Sequence, residues 1–366
     1  MMGKFSYVIK SCNYKILSAA ILLSLMGIGT LVSIAHSEGT FLSREVLIQS
    51  VALLLGLLSA AAILMLGYRC FMNLEKYIYI FSVIFLLSVY IPGLGVSFYG
   101  SRSWIDIGFT TLQPSEIVKI TFIMVMASYL SKNSSCLSTF KGVLSAALYA
   151  CPFILIVAKE DFGSGCVFCA IWIFMVFCSG LELKIIGRAA LSFLLLIPML
   201  YFFMADYQKD RIDAFLSPEN LDLPGNYQVW NSKTAIGSGG FLGKGFLEGT
   251  HKSLGFLPVP ESDFIFAAAV EETGFMGGMA IIALFAFFIF SSLKAARYAR
   301  DLYGALLGAG LVGMFFFQAF ENIAMTMGLM PVTGITLPFL SYGGTSMVAS
   351  MMGVGLILSI SCRQKI

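Results

Sequence analysis

Charged side chains are scarce in this sequence. Asp, Glu, Lys and Arg together make up 12% of its 366 residues, whereas soluble domains carry about 25%. Hydrophobic residues make up 58%, and apolar runs of about 20 residues, the length that spans a bilayer, recur along the chain. These features exclude a soluble globular protein. We expect a single polytopic membrane domain over residues 1–366.

Histidine is nearly absent, and cysteine forms no framework. The two histidines, His36 and His251, are far apart in the sequence, which argues against a histidine metal site. We interpret His251 as a solvated loop residue. None of the eight cysteines lies in the long polar segment of the chain, so no disulfide framework is expected. Cys166 and Cys169 form a C-x-x-C inside an apolar run, where helix packing explains them better than metal or redox chemistry.

Hydropathy predicts an all-α integral membrane protein with about ten transmembrane helices. Lys and Arg are concentrated in the short loops on the side of the N-terminus, so the positive-inside rule places both termini in the cytoplasm. One large extracytoplasmic loop, residues 204–262, separates helices 7 and 8, and it is too long for a passive connector. The predicted spans are approximately residues 16–35, 47–66, 77–92, 114–130, 143–158, 163–180, 185–203, 264–290, 302–325 and 342–361.

The large loop contains two notable stretches. "YQVWNSKTAIGSGG" mixes apolar and polar residues, which fits a short helix on the outer leaflet and fits an ordinary loop nearly as well. "AIGSGGFLGKG" resembles a phosphate-binding loop but has one residue too many, and Gly245 stands where Ser or Thr is required. Lys244 therefore lies in a flexible loop, either free to meet a phosphate or simply solvated.

Ionisable residues beside apolar spans are functional candidates, because each needs a partner or water. On the predicted topology, most of them fall at the outer membrane interface. In "QPSEIVK", Pro114 suits the first turn of a helix, and Glu116 and Lys119 share a face and can pair. Both a structural ion pair and a functional role remain open for these two residues.

The stretch "GFLPVPESDFIFAAAVEETGF" carries four carboxylates. Ser262 is expected to cap a helix that begins with Asp263 at the water interface. Glu271 and Glu272 follow about 12–14 Å deeper and point about 100° apart. We therefore interpret Glu271 and Glu272 as structural residues that are either protonated or paired, and we expect that they do not share a partner. A later stretch, "GLMPVTGITLPFLSYGGTS", predicts irregular backbone that lines a cavity at membrane depth.

Six motifs occur together in order: "RSWIDIG", "QPSEIVK", "DFGS", "AIGSGGFLGKG", "DFIFAAAVEETGF" and "GLMPVTGITLPFLSYGG". In this combination the chain resembles the SEDS family (shape, elongation, division and sporulation) of bacterial cell-wall proteins, and most of all its RodA branch. The resemblance implies a peptidoglycan glycosyltransferase that polymerises lipid II on the outer face of the cytoplasmic membrane. A lipid II flippase, a division-specific polymerase and a pure scaffold are the alternatives.

The resemblance also implies site residues. Asp263 corresponds to the family's essential acid, although Glu261-Ser262-Asp263 replaces the usual His-Thr-Asp, and we expect Glu261 to raise the pKa of Asp263 by like-charge repulsion. Glu116 and Asp161 are candidate ligands of a divalent cation, Mg²⁺ or Mn²⁺, and no organic cofactor is expected. The implied substrate-binding residues are Arg102, Trp104, Gln113, Ser115, Glu116, Lys119, Asp161, Lys244 and Ser341.

The resemblance finally implies partners. They are a class B penicillin-binding protein (a transpeptidase), lipid II, membrane lipids and proteins of the elongation complex. Nucleic acid is not expected.

Overall fold

A computed structural model describes residues 13–37, 39–98, 101–108, 110–134, 139–180, 206–223 and 225–362. Within these ranges the chain is mainly helical. The α-helices, in chain order, are α1 (Tyr14–Ser37), α2 (Arg44–Leu66), α3 (Glu75–Leu87), α4 (Pro114–Lys132), α5 (Phe140–Glu160), α6 (Phe162–Cys178), α7 (Asp206–Leu216), α8 (Asn226–Ser238), α9 (Thr250–Ser253), α10 (Ile265–Arg297), α11 (Leu302–Thr326) and α12 (Gly344–Cys362). Short 3₁₀ turns, Tyr68–Leu74 and Ser88–Tyr90, flank α3.

The helical prediction agrees closely with the described chain. Seven described helices are long and apolar enough to cross a membrane, and they correspond to predicted spans 1, 2, 3, 5, 8, 9 and 10. The shorter apolar helix α6 and helix α4 lie at the sixth and fourth predicted spans. The predicted seventh span, residues 185–203, lies outside the described residues. The total of ten spans and the assignment of the two sides stay predictions.

The outer surfaces of several helices are strongly apolar. Leu54, Leu58 and Tyr77 are 63%, 68% and 75% exposed, a pattern that soluble proteins avoid because large apolar patches aggregate in water. A surrounding hydrocarbon phase removes that cost. The inner helices α11 and α12 are instead buried along most of their length, with α12 packed along α2 and α11 packed against α6 and α10.

The segment before α4 forms a small antiparallel sheet that the sequence did not predict. Its strands are β1 (Gly95–Phe98), β2 (Ser101–Asp106) and β3 (Thr111–Leu112). Trp104 on β2 lies opposite Val96 on β1. The short alternating run "SRSWID" suits a strand, but a hydropathy profile does not detect so short an element outside the membrane spans. Two predicted site residues, Arg102 and Trp104, therefore lie on a strand.

The helix that follows Asp263 is broken at Gly274, which has φ 67° and ψ −167°. A break in a membrane helix leaves carbonyl groups without their usual partners. The large loop supplies new donors there, because Lys244 N donates to Glu271 O at 3.1 Å and Gly245 N donates to Glu272 O at 3.1 Å. Part of the loop predicted to be solvated is thus inserted against the helix.

The other side of the break is satisfied by the same loop. Phe275 N donates to Gly240 O at 2.9 Å, and Met276 N donates to Phe241 O at 3.2 Å. Donors and acceptors freed by the break thereby find partners within residues 240–245, as buried backbone groups require. The loop and the broken helix form one hydrogen-bonded unit.

This arrangement predicts a specific cost for adding a side chain at the break. A Cβ on Gly274 would lie 2.2 Å from Gly243 N, and its backbone conformation is essentially restricted to glycine. Gly274→Ala should lower the free energy of unfolding by at least about 1–3 kcal/mol, measured by thermal unfolding in detergent. The matched control is Gly29→Ala in α1, where a Cβ meets nothing within 4 Å. Equal stability of the two variants would contradict this account of the break.

Candidate functional site

The backbone around Asp263 differs from the predicted helix start. Helix α10 begins at Ile265 with Phe264 before it and no side-chain cap, so Asp263 belongs to the turn that precedes the helix. The prediction that Ser262 caps the helix is wrong. Its hydroxyl instead donates to Asp263 Oδ1 at 3.0 Å, because the turn brings the two neighbouring side chains to the same side.

Asp263 is held in place by hydrogen bonds to its backbone and to that of Ser262. Asn322 Nδ2 on α11 donates to Asp263 O at 3.1 Å. Ser341 Oγ donates to Ser262 O at 2.6 Å, so the predicted substrate residue Ser341 holds the turn beside the carboxylate. A Cβ on Gly334 would lie 3.7 Å from Asp263 Oδ2. The irregular segment before α12 therefore lies directly against the carboxylate.

The environment raises the pKa of Asp263 above its ordinary value. Burial is the main cause; the hydrogen bond from Ser262 and the positive charge of Arg211 oppose it, and the negative charge of Asp161 adds to it. The like charge that raises the pKa therefore comes from Asp161, whereas Glu261 was expected to supply it. A carboxylate with a raised pKa is a stronger base, which suits it to accept a proton.

Two charged residues near Asp263 were missed by the sequence analysis. Arg211 on α7 donates through Nη1 to Thr333 O at 3.0 Å. Glu321 on α11 is 1% exposed and accepts a hydrogen bond from Thr333 Oγ1. Glu321 lies inside the predicted span 302–325, where any carboxyl group is a functional candidate, so a signal was present. Arg211 lies in the charge-rich large loop, where no pattern distinguishes it.

Four predicted substrate residues meet at the N-terminal ends of α4 and α6. Arg102, Ser115 and Asp161 line one narrow cleft. Gln113 Nε2 donates to Asp161 Oδ2 at 3.4 Å, and Asp161 caps α6 by accepting from Ser164 N at 3.1 Å. Ser115 Oγ is buried without a hydrogen-bond partner among the described residues. The cleft thus combines one cation, Arg102, with two carboxylates, Glu160 and Asp161, and with the hydroxyl of Ser115.

The cleft adjoins the turn that carries Asp263. Gly163, in the first turn of α6, packs so closely on Thr333 that a Cβ there would lie 2.6 Å from Thr333 O. Asp161 and Asp263 also interact electrostatically. The start of α6 is therefore the physical connection between the two parts of the site.

The small sheet is fixed to the C-terminal end of α5. Arg102 N donates to Glu160 Oε2 at 3.1 Å, and Tyr90 OH donates to Glu160 Oε1 at 2.8 Å. These bonds hold β2 over the cleft. Trp104 is partly buried on the same strand, and its contact with substrate stays a prediction.

Glu116 and Lys119 form a buried ion pair, with Lys119 Nζ donating to Glu116 Oε1 at 2.7 Å. Their relative exposures are 6% and 2%, so each charge depends on the other for stabilisation. The pairing expected from their spacing is confirmed. A role of either residue in substrate binding stays a prediction.

The predicted metal ligands fit a divalent cation poorly. Glu116 Oε1 is engaged by an ammonium group, and Asp161 accepts hydrogen bonds from Ser164 and Gln113. In the described part of the chain, no group of three or more His, Cys, Asp or Glu side chains is arranged to hold a metal ion. The role of a cation stays a prediction, and the chemistry proposed below uses only side chains of the protein.

Lys244 and His251 are both engaged with Glu271. Lys244 Nζ lies 2.6 Å from Glu271 Oε1 and 2.6 Å from Thr250 Oγ1. His251 reaches the same carboxylate oxygen through its backbone N and its Nδ1, each at 2.9 Å. The interpretation of His251 as a solvated residue is therefore wrong, because His251 is hydrogen-bonded to the buried carboxylate of Glu271. The structure does not bring Lys244 into the group around Asp263.

Glu272 has a different set of partners. Lys252 Nζ and Ser33 Oγ both donate to Glu272 Oε1, and Lys252 Nζ also donates to Ser33 O at 2.9 Å. All three residues are buried. The expectation that Glu271 and Glu272 do not share a partner is confirmed, and their structural role stays a prediction. Glu272 links the broken helix α10 to α1 through the loop.

Removing both members of this buried pair should cost less stability than the sum of the costs of removing each one alone. Lys252→Met leaves the Glu272 carboxylate buried without its cation, which should lower the free energy of unfolding by about 3–5 kcal/mol. Lys252→Met combined with Glu272→Gln should lose clearly less than the sum of the two single variants. Thermal unfolding in detergent measures all three, with Lys76→Met at an exposed position as the control. Strict additivity would show that the two charges do not interact.

Comparisons with known proteins show which families and folds this chain resembles. The family model described as "Cell cycle protein", which carries the names FtsW, RodA and SpoVE, matches residues 12–366. The chain is 35% identical over 312 residues to "Peptidoglycan glycosyltransferase MrdB" of Escherichia coli K12, covering 85% of this chain and 84% of that protein. It is also 35% identical over 329 residues to "Stage V sporulation protein E" of Bacillus subtilis 168, covering 88% and 87%.

Solved structures extend the likeness to the fold. One, described as "Structural coordination of polymerization and crosslinking by a peptidoglycan synthase complex", has a TM-score of 0.83 at 26% identity and covers 96% of this chain and 98% of that chain. The rod shape determining protein RodA of Thermus thermophilus has a TM-score of 0.69 at 25% identity, with 96% of both chains covered.

Proposed function

This chain belongs to the FtsW, RodA and SpoVE family of cell-cycle proteins, and from that membership we propose that it is a peptidoglycan glycosyltransferase that polymerises lipid II. Relatives with this activity in their names match most of its length. The observation that carries the proposal is the constrained carboxylate of Asp263. It lies beside the cleft that contains Arg102, and a cation there can stabilise a departing pyrophosphate.

Asp263 acts as the general base in the proposed reaction. It takes the proton from the 4-hydroxyl of the acceptor GlcNAc, and the oxygen attacks the anomeric carbon of MurNAc at the end of the growing strand. The bond from that carbon to the pyrophosphate oxygen breaks with inversion, which leaves a β-1,4 linkage and releases undecaprenyl pyrophosphate. The raised pKa of Asp263, caused mainly by burial, supports this role.

Arginine side chains stabilise the departing pyrophosphate in this proposal. Arg102 lines the cleft, and Arg211 lies close enough to Asp263 to lower its pKa by charge attraction. Guanidinium groups bind phosphate oxygens in two-pronged geometry. Lys119 and Lys244, which were expected to bind the substrate, are held in ion pairs with Glu116 and Glu271. We therefore assign the leaving-group role to the two arginines.

Transport of lipid II is less well supported. Transport would need polar groups within the depth of the membrane, and Glu271 and Glu272 lie deeper along the helix than Asp263. Both carboxylates are engaged by cations of the large loop, Lys244 and Lys252. This supports a structural role for them rather than a polar path through the membrane.

The relatives support a proposal for the setting of the reaction. We propose that the protein resides in the bacterial cytoplasmic membrane with Asp263 at the outer face, and that it serves elongation of the wall and maintenance of cell shape. We also propose a class B penicillin-binding protein as its partner. The likeness to a complex that coordinates polymerisation and crosslinking supports this partnership.

Substitution of the proposed base tests the function. Asp263→Asn keeps the size of the side chain but removes its basicity, so lipid II polymerisation should fall at least about 100-fold. The assay uses purified protein with its transpeptidase partner and follows glycan strands on a gel. Glu261→Gln, the same change two residues away, is the matched control and should stay near the parent rate.

Two results would count against the proposal. Full polymerisation by Asp263→Asn would remove the assigned base. Translocation of fluorescent lipid II in reconstituted vesicles without glycan formation would favour transport over polymerisation.

The acid side of the pH profile provides another prediction. A general base works only when ionised, and burial raises the pKa of Asp263. The polymerisation rate should therefore fall on acidification at a pH above 3.9, the approximate pKa of a free Asp side chain. Initial rates at saturating lipid II, measured from about pH 4 to 8, locate this limb. A rate that stays constant down to about pH 4 would contradict the assignment.

A further inference from the structure

Glu321 is a buried carboxyl group that the proposed reaction does not use. One of its oxygens accepts a hydrogen bond from Thr333 Oγ1, and the other, Oε2, is buried with no hydrogen-bond partner in the described part of the chain. An unpaired buried carboxyl oxygen is costly, particularly within a membrane helix. Such a cost is typical of functional positions.

Glu321 and Asp263 lie on either side of one short segment, residues 333–335. The hydroxyl of Thr333 donates to Glu321 on one side of the segment. Gly334 faces Asp263 on the other side, because a Cβ added to Gly334 would lie 3.7 Å from Asp263 Oδ2. Asn322, next to Glu321, donates to both Asp263 O and Ile335 O, at 3.1 and 2.8 Å. The two carboxyl groups therefore have fixed relative positions, and they interact electrostatically.

The charges around the pair disfavour ionising both of its members. Arg211 is the cation that attracts the two carboxyl groups. Asp161 adds negative charge beside Asp263 and is itself stabilised by the Ser164 N–H and hydroxyl. The Cys166 thiol on α6 is the other titratable group that faces Glu321. Among the described residues, Arg211 is the cation that acts on both carboxyl groups, so a pair holding one proton leaves less unbalanced negative charge in a low dielectric.

We propose that Asp263 and Glu321 form a coupled carboxyl pair that shares one proton, so that Glu321 is a positioning residue that sets the pH at which Asp263 becomes an effective base. The inference rests on the proposed function of Asp263. In the reaction the acceptor hydroxyl gives its proton to Asp263, and the proton leaves to solvent after the pyrophosphate departs, so Glu321 forms no bond to the substrate. Coupled groups titrate as a pair, with apparent pKa values spread apart.

The pH profile of Glu321→Gln tests this coupling. Gln keeps the acceptor for Thr333 Oγ1 but cannot ionise, so Asp263 loses a neighbouring negative charge and its pKa falls. The midpoint of the acid limb of the polymerisation rate should move to lower pH by about 1 unit or more, with KM for lipid II nearly unchanged. Glu219→Gln, the same change at an exposed carboxylate, should leave the midpoint in place. An unmoved midpoint in Glu321→Gln, even with a lower rate, would overturn the proposal.

A second measurement does not depend on activity. Infrared spectra of the full-length protein recorded across a pH range show the band of protonated carboxyl groups. The component of this band that is missing in Glu321→Gln belongs to Glu321, so its titration can be followed directly. In Asp263→Asn this component should titrate at lower pH than in the parent, because the coupling is mutual. An identical titration in both proteins would overturn the pair. If Asp263→Asn instead polymerised normally while the infrared shift was present, the proposed base would fail and the pair would stand.

Discussion

The insertion of the large loop into the break of α10 is the constraint on which the site depends. Gly274 interrupts the helix, and residues 240–245 take up the freed backbone groups on both sides of the break. A membrane helix cannot expose such groups to lipid, so the loop and the helix must form together. The short helical piece between Asp263 and Gly274 is thereby fixed at both ends, since hydrogen bonds from α11 and from Ser341 hold its start.

Buried ion pairs also hold the loop and the helices together. Glu271 and Glu272 hold cations of the loop against the helix, and Glu116 holds Lys119 inside the bundle. These pairs stabilise the arrangement of the helices and give each of these three buried carboxylates a cation. Around Asp263, in contrast, carboxyl groups outnumber the neighbouring cation Arg211. The imbalance raises the basicity of Asp263, which is where the proposed chemistry needs it.

The features predicted from the sequence are those encoded locally. Long apolar runs gave the positions of the described spans, the three-residue spacing of Glu116 and Lys119 gave their pairing, and the angle between Glu271 and Glu272 gave their separate partners. The break at Gly274 was not predictable in this way, because its partners come from a loop some 30 positions earlier in the chain. His251 was misjudged for the same reason, since its carboxylate partner lies 20 residues away.

The group around Asp263 was predicted only in part. Motif resemblance identified Asp263 and the residues of the cleft, but Arg211 carries no local signal, and Glu321 was overlooked although its place within an apolar span marks it. The account depends most on Asp263 as the base. Purified Asp263→Ala assayed with lipid II, with and without added formate, tests this most directly. The account predicts loss of polymerisation in the variant and partial recovery with formate, which can occupy the vacated space and accept the proton. Polymerisation by the variant at the parent rate, with no response to formate, would contradict it.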